Sequence, residues 1–102
     1  MSTQIITIFR NRLFSGAGEE YGPLAIQMSE LAQGMPGFVD AKTFSSPDGE
    51  RVTIVTFADR ESHNAWRDHP QHKLAQQAGI ERLYSEYSIQ VGDVSYSKKF
   101  AR

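Results

Sequence analysis

The fold of this chain is decided by residues 38–57, which read FVDAKTFSSPDGERVTIVTF. The β-branched and aromatic residues at 38–44 and at 51–57 predict two strands. Between the strands, the letters SPDG at 46–49 predict a tight turn, because proline fixes φ and glycine is free to adopt a left-handed conformation. The two strands are therefore predicted to be antiparallel neighbours in one sheet.

The sequence around this hairpin predicts a strand and a helix before it and a helix and a strand after it. Residues 4–13 are rich in β-branched side chains, and apolar residues recur at helical spacing between 24 and 35. Residues 84–96 predict a last strand, with a bulge or bend at Gly92. The resulting order, β-α-β-β-α-β, is typical of a ferredoxin-like α+β fold with a four-stranded antiparallel sheet and helices on one face. All 102 residues are predicted to form one domain.

The second helical region contains the run AWRDHPQHKLAQ at 65–76, with the only tryptophan and two of the three histidines. Pro70 has no amide hydrogen, so a helix capped by Asp59 is predicted to break near residue 68 or 69 and to restart at the proline. Gly79 is predicted to end this second part. Such a bend can turn an indole and two imidazoles toward one space and so form a pocket wall.

Composition argues against several classes of partner. The chain has 11 basic and 12 acidic side chains and no basic stripe, so neither nucleic acid nor a membrane surface is expected as a partner. The lack of cysteine excludes disulfides, thiolate metal sites and a cysteine nucleophile. No signal peptide and no apolar stretch of the ~18 residues that span a bilayer is visible, which predicts a cytoplasmic protein.

The first and third strands carry apolar residues on both faces. Helices on one side of the sheet leave the other side open, and the sequence offers no further element to cover it. A second copy of the chain would cover it, so the sequence predicts a homodimer in which the two sheets pack face to face.

At the level of particular residues, the chain resembles a known family. The resemblance rests on the element order, the Met35-Pro36-Gly37-Phe38 entry into the second strand, the Val55-Thr56-Phe57 ending of the third, a following helix with Trp66, and a tyrosine-rich last strand. These features are similar to those of the antibiotic biosynthesis monooxygenase (ABM) superfamily of dimeric α+β barrels. The resemblance implies a monooxygenase that oxygenates an aromatic or quinol-like small molecule without a cofactor, in a pocket between helices and sheet.

One branch of this superfamily, the haem-degrading monooxygenases, invites a closer comparison. That branch has an asparagine late in the first strand, a tryptophan in the second long helix and a haem-ligating histidine ten residues later. Asn11 and Trp66 stand at the first two positions, but Gln76 occupies the third. His72 lies one turn before Gln76, so haem binding and degradation through His72 is an alternative function.

The candidate catalytic residues are His72 and His69, as a base that titrates near neutral pH, and Asn11, as a hydrogen-bonding group. The candidate substrate-binding residues are Trp66, Phe9 and Tyr84. Each has a structural alternative: His69 as the cap of the second half-helix, His72 as a solvated residue, Asn11 at a fraying edge strand, and Trp66 as core.

The remaining histidine, the last strand and the metal-binding potential of the chain also give expectations. His63 is predicted to lie at the surface, and Tyr84 and Tyr87, three residues apart, are predicted to face opposite sides of the last strand. No metal site is predicted, because His69 and His72 lack a third ligand. A dimer that binds a small ligand without turning it over is the alternative from outside the enzyme class.

Overall fold

The computed structural model describes residues 3–102, so residues 1 and 2 of the predicted 1–102 domain lie outside this description. In chain order the elements are β1 (Ile5–Leu13), α1 (Gly18–Gln33), β2 (Phe38–Ser45), β3 (Arg51–Phe57), α2 (Arg60–Arg67), α3 (Pro70–Ala78), a π-helical turn (Gly79–Leu83) and β4 (Tyr84–Asp93). Among the described residues, no helix has both the length and the apolar content that a membrane crossing requires.

The strands form one antiparallel sheet in the order β2-β3-β1-β4. This is the predicted ferredoxin-like α+β arrangement, in which β1 and β3 are central. The core lies between the sheet and the helices, where Ala32, Phe57 and Trp66 are buried together. Partly buried side chains from α1, its C-terminal turn, β2 and β3 pack around them: Met28, Leu31, Met35, Phe38 and Val55. Helices therefore cover the face of the sheet that carries Phe57.

Local sequence signals account for the two turns that shape the fold. In the hairpin, Gly49 has a φ of 94° and its amide donates to the carbonyl of Ser46 over 2.9 Å. In the helical region, the Asp59 side chain accepts from the amide of Ser62 over 2.8 Å and begins α2. Pro70 is the first residue of α3, as its missing amide hydrogen predicts. Both the hairpin and the helix break are confirmed.

The last strand departs from its prediction in three ways. It ends at Asp93 instead of residue 96, and Gly92 pairs regularly with Ile6, so the predicted bulge at Gly92 is wrong. The register instead shifts between Arg12 and Leu13, where Leu13 pairs with Tyr84. An extra residue on β4 at this point reverses the alternation of side chains.

This shift also makes the prediction for the two tyrosines wrong. Tyr84 pairs with Leu13 and Tyr87 pairs with Asn11, and both partners lie on the helix-covered face of β1. Because cross-strand partners point to the same side, Tyr84 and Tyr87 share that face. Their ring centroids are 6.0 Å apart.

The opposite face of the sheet, called the open face below, has no helix on it among residues 3–102. Its centre is an apolar patch of half-buried side chains from β1 and β3: Ile6, Ile8, Val52 and Ile54. One end is charged, with Arg10 paired to Glu50 over 2.7 Å and Arg12 bridging the carboxylates of Asp48 and Glu86. The open face thus combines an apolar centre with a rim of ion pairs.

Candidate functional site

The residues predicted to carry function fall into two clusters. The first, called the bend cluster, consists of Trp66 at the end of α2 with His69 and His72 at the start of α3. Trp66 is 8% exposed, and its ring stacks on that of His72 with centroids 4.1 Å apart and an interplanar angle of 12°. His69 lies 5.9 Å from the indole. The helix break at Pro70 produces this contact, because it folds α3 back toward the indole.

His72 is held as a neutral base within the bend cluster. Its Nδ1 lies 3.0 Å from the carbonyl oxygen of Trp66. A carbonyl can only accept, so Nδ1 carries the proton and Nε2 keeps its lone pair. Burial, which outweighs the hydrogen bond to Trp66, lowers the pKa of His72 below its usual value. The imidazole is therefore uncharged at neutral pH and can accept a proton at Nε2.

The other two imidazoles are engaged in local structure. His69 Nδ1 accepts from the amide of Gln71 over 3.1 Å, so His69 caps α3. His63 is 7% exposed, and its Nδ1 donates to Asn64 over 3.1 Å, so the prediction of a surface position is wrong. His63 lies on the buried side of α2 together with Ser62 and Trp66. The polar residues next to it in the sequence had indicated an exposed position. Of the three histidines, His72 has the ring nitrogen best placed to act as a base.

The second cluster, called the sheet cluster, lies on the helix-covered face where β1, β3 and β4 meet the start of α1. Its members are Phe9, Asn11, Tyr21, Arg51, Tyr84 and Tyr87. At its centre Asn11 is 1% exposed, and neither Oδ1 nor Nδ2 has a hydrogen-bond partner among the described residues. Because β1 is a central strand, the alternative of an Asn11 at a fraying edge is wrong. A buried amide left unpaired is destabilising by about 1–3 kcal/mol.

Aromatic residues lie next to Asn11 on the same face of the sheet, with Phe9 two residues before it on β1 and Tyr87 opposite it on β4. Phe9 lies 5.4 Å from Tyr84 and stacks on Tyr87 at 6.1 Å, while Tyr21 from α1 meets Tyr84 edge-on at 5.9 Å. Burial and the neighbouring Tyr21 raise the pKa of Tyr84 above its usual range, so its phenol stays protonated. Gly79 allows this packing, because a Cβ at that position would collide with the Tyr84 ring.

Arg51 supplies the cation of the sheet cluster, and the sequence analysis missed it. It is the cross-strand neighbour of Asn11, and its guanidinium lies 4.4 Å from the centre of the Tyr21 ring. Its Nε is buried without a hydrogen-bond partner in the part of the chain that the structure describes. A sequence signal was present, because Arg51 is an even number of residues away from Val55 and Phe57. Its side chain therefore points to the same, helix-covered face of the sheet.

The structure does not bring the two clusters together. Trp66 belongs to the core around Val55 and Phe57, whereas Asn11 pairs with Arg51, four to six residues away along β3. At the rise of a strand this corresponds to roughly 13–20 Å. Phe9, Asn11 and Tyr84 therefore group with one another, and Trp66, His69 and His72 form a separate group.

Two open cavities lie near these clusters. A depression of about 230 Å³ is bordered by Asn11 and Tyr87 from β1 and β4 and by the Arg10–Glu50 ion pair. A groove of about 530 Å³ runs between α1 and α3, with Leu24, Met28 and Ala75 among its apolar walls. None of the six predicted site residues borders this groove. Within residues 3–102 no three acidic or histidine side chains are grouped to hold a metal ion.

The fold and the site together define a class: a ferredoxin-like α+β domain with an aromatic cluster, enclosing an unpaired amide, between its sheet and helices. Residues 4–78 match the family model of antibiotic biosynthesis monooxygenases. The chain is also 30% identical over 80 residues to the uncharacterised protein YqjZ of Bacillus subtilis, covering 78% of this chain and 70% of that protein. The chain therefore belongs to the antibiotic biosynthesis monooxygenase family.

Solved structures with low identity share the fold. The Rv0793 protein of Mycobacterium tuberculosis superposes with a TM-score of 0.80 at 17% identity, covering 96% of this chain and 99% of that chain. SnoaB, a cofactor-independent oxygenase from Streptomyces nogalater, superposes with a TM-score of 0.78 at 14% identity, covering 92% and 95%. These likenesses confirm the predicted architecture.

Proposed function

We propose that this protein oxygenates an aromatic, quinol-like small molecule without a cofactor. The observation that carries the proposal is the buried, unpaired amide of Asn11 among the rings of Phe9, Tyr84 and Tyr87. An aromatic ligand with an oxygen substituent satisfies the amide and packs against the rings. Family membership and the likeness to a cofactor-independent oxygenase support the same chemistry.

The reaction needs a substrate that supplies its own electrons. A ring C–H beside a phenol becomes a quinone C=O, one atom of dioxygen enters the ring, and the other leaves as water. All the electrons that reduce dioxygen come from the substrate. The protein has to remove the phenol proton and hold the ring away from water, and neutral His72 accepts that proton at Nε2.

The separation of the two clusters constrains the substrate of this reaction. Asn11 pairs with Arg51 at one end of β3, whereas His72 stacks on Trp66, which packs against Phe57 at the other end. A substrate that contacts both His72 and Asn11 is therefore expected to extend over several fused rings. In such a conjugated system, deprotonation at the His72 end raises electron density at the Asn11 end. Trp66 then provides a flat surface beside the base.

Oxygen uptake with a panel of dihydroxyaromatics of increasing ring number tests this function. Wild type is expected to consume oxygen on the larger members. The variant His72→Gln is expected to lose at least about a hundredfold in rate, the usual contribution of a general base. His69→Asn keeps a capping residue at the start of α3 and so distinguishes the role of His69 from that of His72. Equal losses of rate in the two variants contradict the assignment of the base to His72. No uptake on any member removes the proposal.

Haem degradation is the second candidate, favoured by one observation. His72 and Gln76 lie one turn apart on the same side of α3, and His72 Nε2 is free of intramolecular hydrogen bonds among the described residues. Titration of the protein with haem decides this candidate. A Soret shift that His72→Gln abolishes supports it, and an unchanged haem spectrum at stoichiometric protein ends it.

We also propose that two copies of the chain pack through their open faces. Support comes from the half-buried apolar patch of Ile6, Ile8, Val52 and Ile54, which no helix of residues 3–102 covers. Sedimentation velocity is expected to show a dimer for wild type and a monomer for Ile8→Lys. Ile26→Lys, at a position 63% exposed on α1, is the matched control and is expected to stay dimeric. A wild-type monomer at micromolar concentration contradicts the dimer.

A further inference from the structure

Among the arginines that lie within helices and strands of the described residues, Arg51 is the one for which no ion pair is found; Arg102, at the C-terminal end, also forms none. Five other arginines each form an ion pair with a carboxylate: Arg10, Arg12, Arg60, Arg67 and Arg82. Among residues 3–102, Arg51 contacts no acidic side chain, and its Nε is buried and unpaired. The adjacent acidic residue, Glu50, is committed to Arg10 on the opposite face of the sheet.

The surroundings of Arg51 fit an anion attached to an aromatic ring. The guanidinium carbon lies 4.4 Å from the centre of the Tyr21 ring, a distance typical of a cation–π contact. Asn11 is the cross-strand neighbour of Arg51 and is only 1% exposed. Its side-chain amide also has no hydrogen-bond partner among the described residues. A guanidinium supplies parallel N–H donors to a carboxylate or phenolate oxygen, and an amide nitrogen supplies another.

Arg51 is half-buried, and its Nε is the enclosed part of the guanidinium. A charged nitrogen that is buried without a partner is unfavourable unless a ligand or a neighbouring group pairs with it. The neighbouring groups do not do so, because Tyr84 and Tyr21 are phenols and Asn11 is neutral. The sheet cluster therefore holds a positive charge that no carboxylate among residues 3–102 pairs with, beside the Tyr21 ring. Tyr87, which is 46% exposed on the edge strand β4, is the most exposed member of the sheet cluster and marks its solvent-facing side.

We propose that Arg51 and Asn11 bind the anionic oxygen of an aromatic acid, so that Arg51 selects ligands carrying a carboxylate or phenolate over neutral aromatics of the same shape. This inference adds to the proposed function the expected charge of the substrate. It rests on the proposed function only in taking the sheet cluster as the binding site. Arg51 acts here as a residue that determines specificity, and the base remains His72.

Binding of non-oxidisable ligands tests the proposal independently of turnover. In calorimetric titrations, wild type is expected to bind 2-naphthoate at least about tenfold more tightly than 2-naphthamide, its neutral counterpart. Arg51→Met is expected to bind both ligands with equal, weak affinity, and Arg51→Lys to recover part of the preference. Arg60→Met removes an exposed arginine paired with Asp93 and is expected to bind as wild type does.

The two proposals fail in distinguishable ways. Equal binding of acid and amide by wild type, or an undiminished preference in Arg51→Met, overturns the role of Arg51 even if oxygen uptake is observed. If wild type prefers the acid over the amide through Arg51 but consumes no oxygen with any substrate, the anion site is supported and the oxygenase function is contradicted. Circular dichroism and thermal melting of each variant show that a loss of binding is not a loss of folding.

Discussion

The bend cluster and the sheet cluster are built from similar side chains but differ in how their polar atoms are paired. In the bend cluster, both candidate histidines bond to backbone within six residues: His69 to the amide of residue 71 and His72 to the carbonyl of residue 66. In the sheet cluster, Asn11 and Arg51 come from different strands and leave buried atoms unpaired. The polar atoms of the bend cluster are therefore satisfied locally, whereas the sheet cluster retains unpaired buried atoms, which lower stability unless a ligand pairs with them, as proposed above.

Among the variants that test this contrast, Trp66→Ala is expected to change stability the most. Removing a buried indole from the core with Phe57 and Ala32 is expected to destabilise the protein by about 3–5 kcal/mol. Chemical denaturation measures the change, with Leu74→Ala, at a position 66% exposed, as the matched control expected within about 0.5 kcal/mol of wild type. A loss below about 1 kcal/mol for Trp66→Ala contradicts a structural role for the bend cluster.

Asn11→Leu tests the sheet cluster, and its effect on stability is expected to be opposite in sign to that of Trp66→Ala. Replacing an unpaired buried amide by an apolar side chain of similar size removes a desolvation penalty, so stability is expected to rise by about 1–3 kcal/mol. Ligand binding and oxygen uptake are expected to fall in the same variant. If the melting midpoint falls instead, the amide is paired in solution and the sheet cluster is an ordinary part of the core.

Gly79→Ala asks whether the aromatic wall depends on close packing. The backbone at Gly79 is helical and tolerates alanine, but the new Cβ meets the Tyr84 ring, so a loss of about 1–3 kcal/mol is expected. Gly22→Ala in α1 is the matched control: no atom lies within 4 Å of the added Cβ, and a gain of about 0.5–1 kcal/mol is expected. Equal effects at both glycines would mean that Tyr84 moves freely.

The smallest expected effect concerns pH and His72. Since burial lowers its pKa in the folded state, the unfolded chain binds more protons between the lowered value and the ordinary value of 6.5. Stability is therefore unaffected by this group above pH 6.5 and falls as the pH drops below it, until both states are protonated. Denaturation midpoints of wild type and His72→Gln across this window measure the difference. Parallel curves would place His72 in solvent.

Most of the architecture could be predicted, since it is encoded locally. The proline and glycine of the 46–49 turn fixed the hairpin, and Pro70 fixed the break between α2 and α3. The grouping of Trp66 with His72 followed from that break. The extra residue that shifts β4 against β1 after Arg12 escaped prediction, because nothing in the tyrosine-rich strand marks it. The error placed Tyr84 and Tyr87 on opposite faces.

The sequence by itself determined the element order, the family and the helix break, because these depend on residues close together in the chain. The tertiary structure alone decided that Asn11 lies opposite Arg51 and Tyr87 in the sheet, and that this group lies apart from the imidazoles. The physical reason is that strand register and side-chain burial are set by contacts between distant segments. A buried polar atom is known to lack a partner only when every neighbour has been placed.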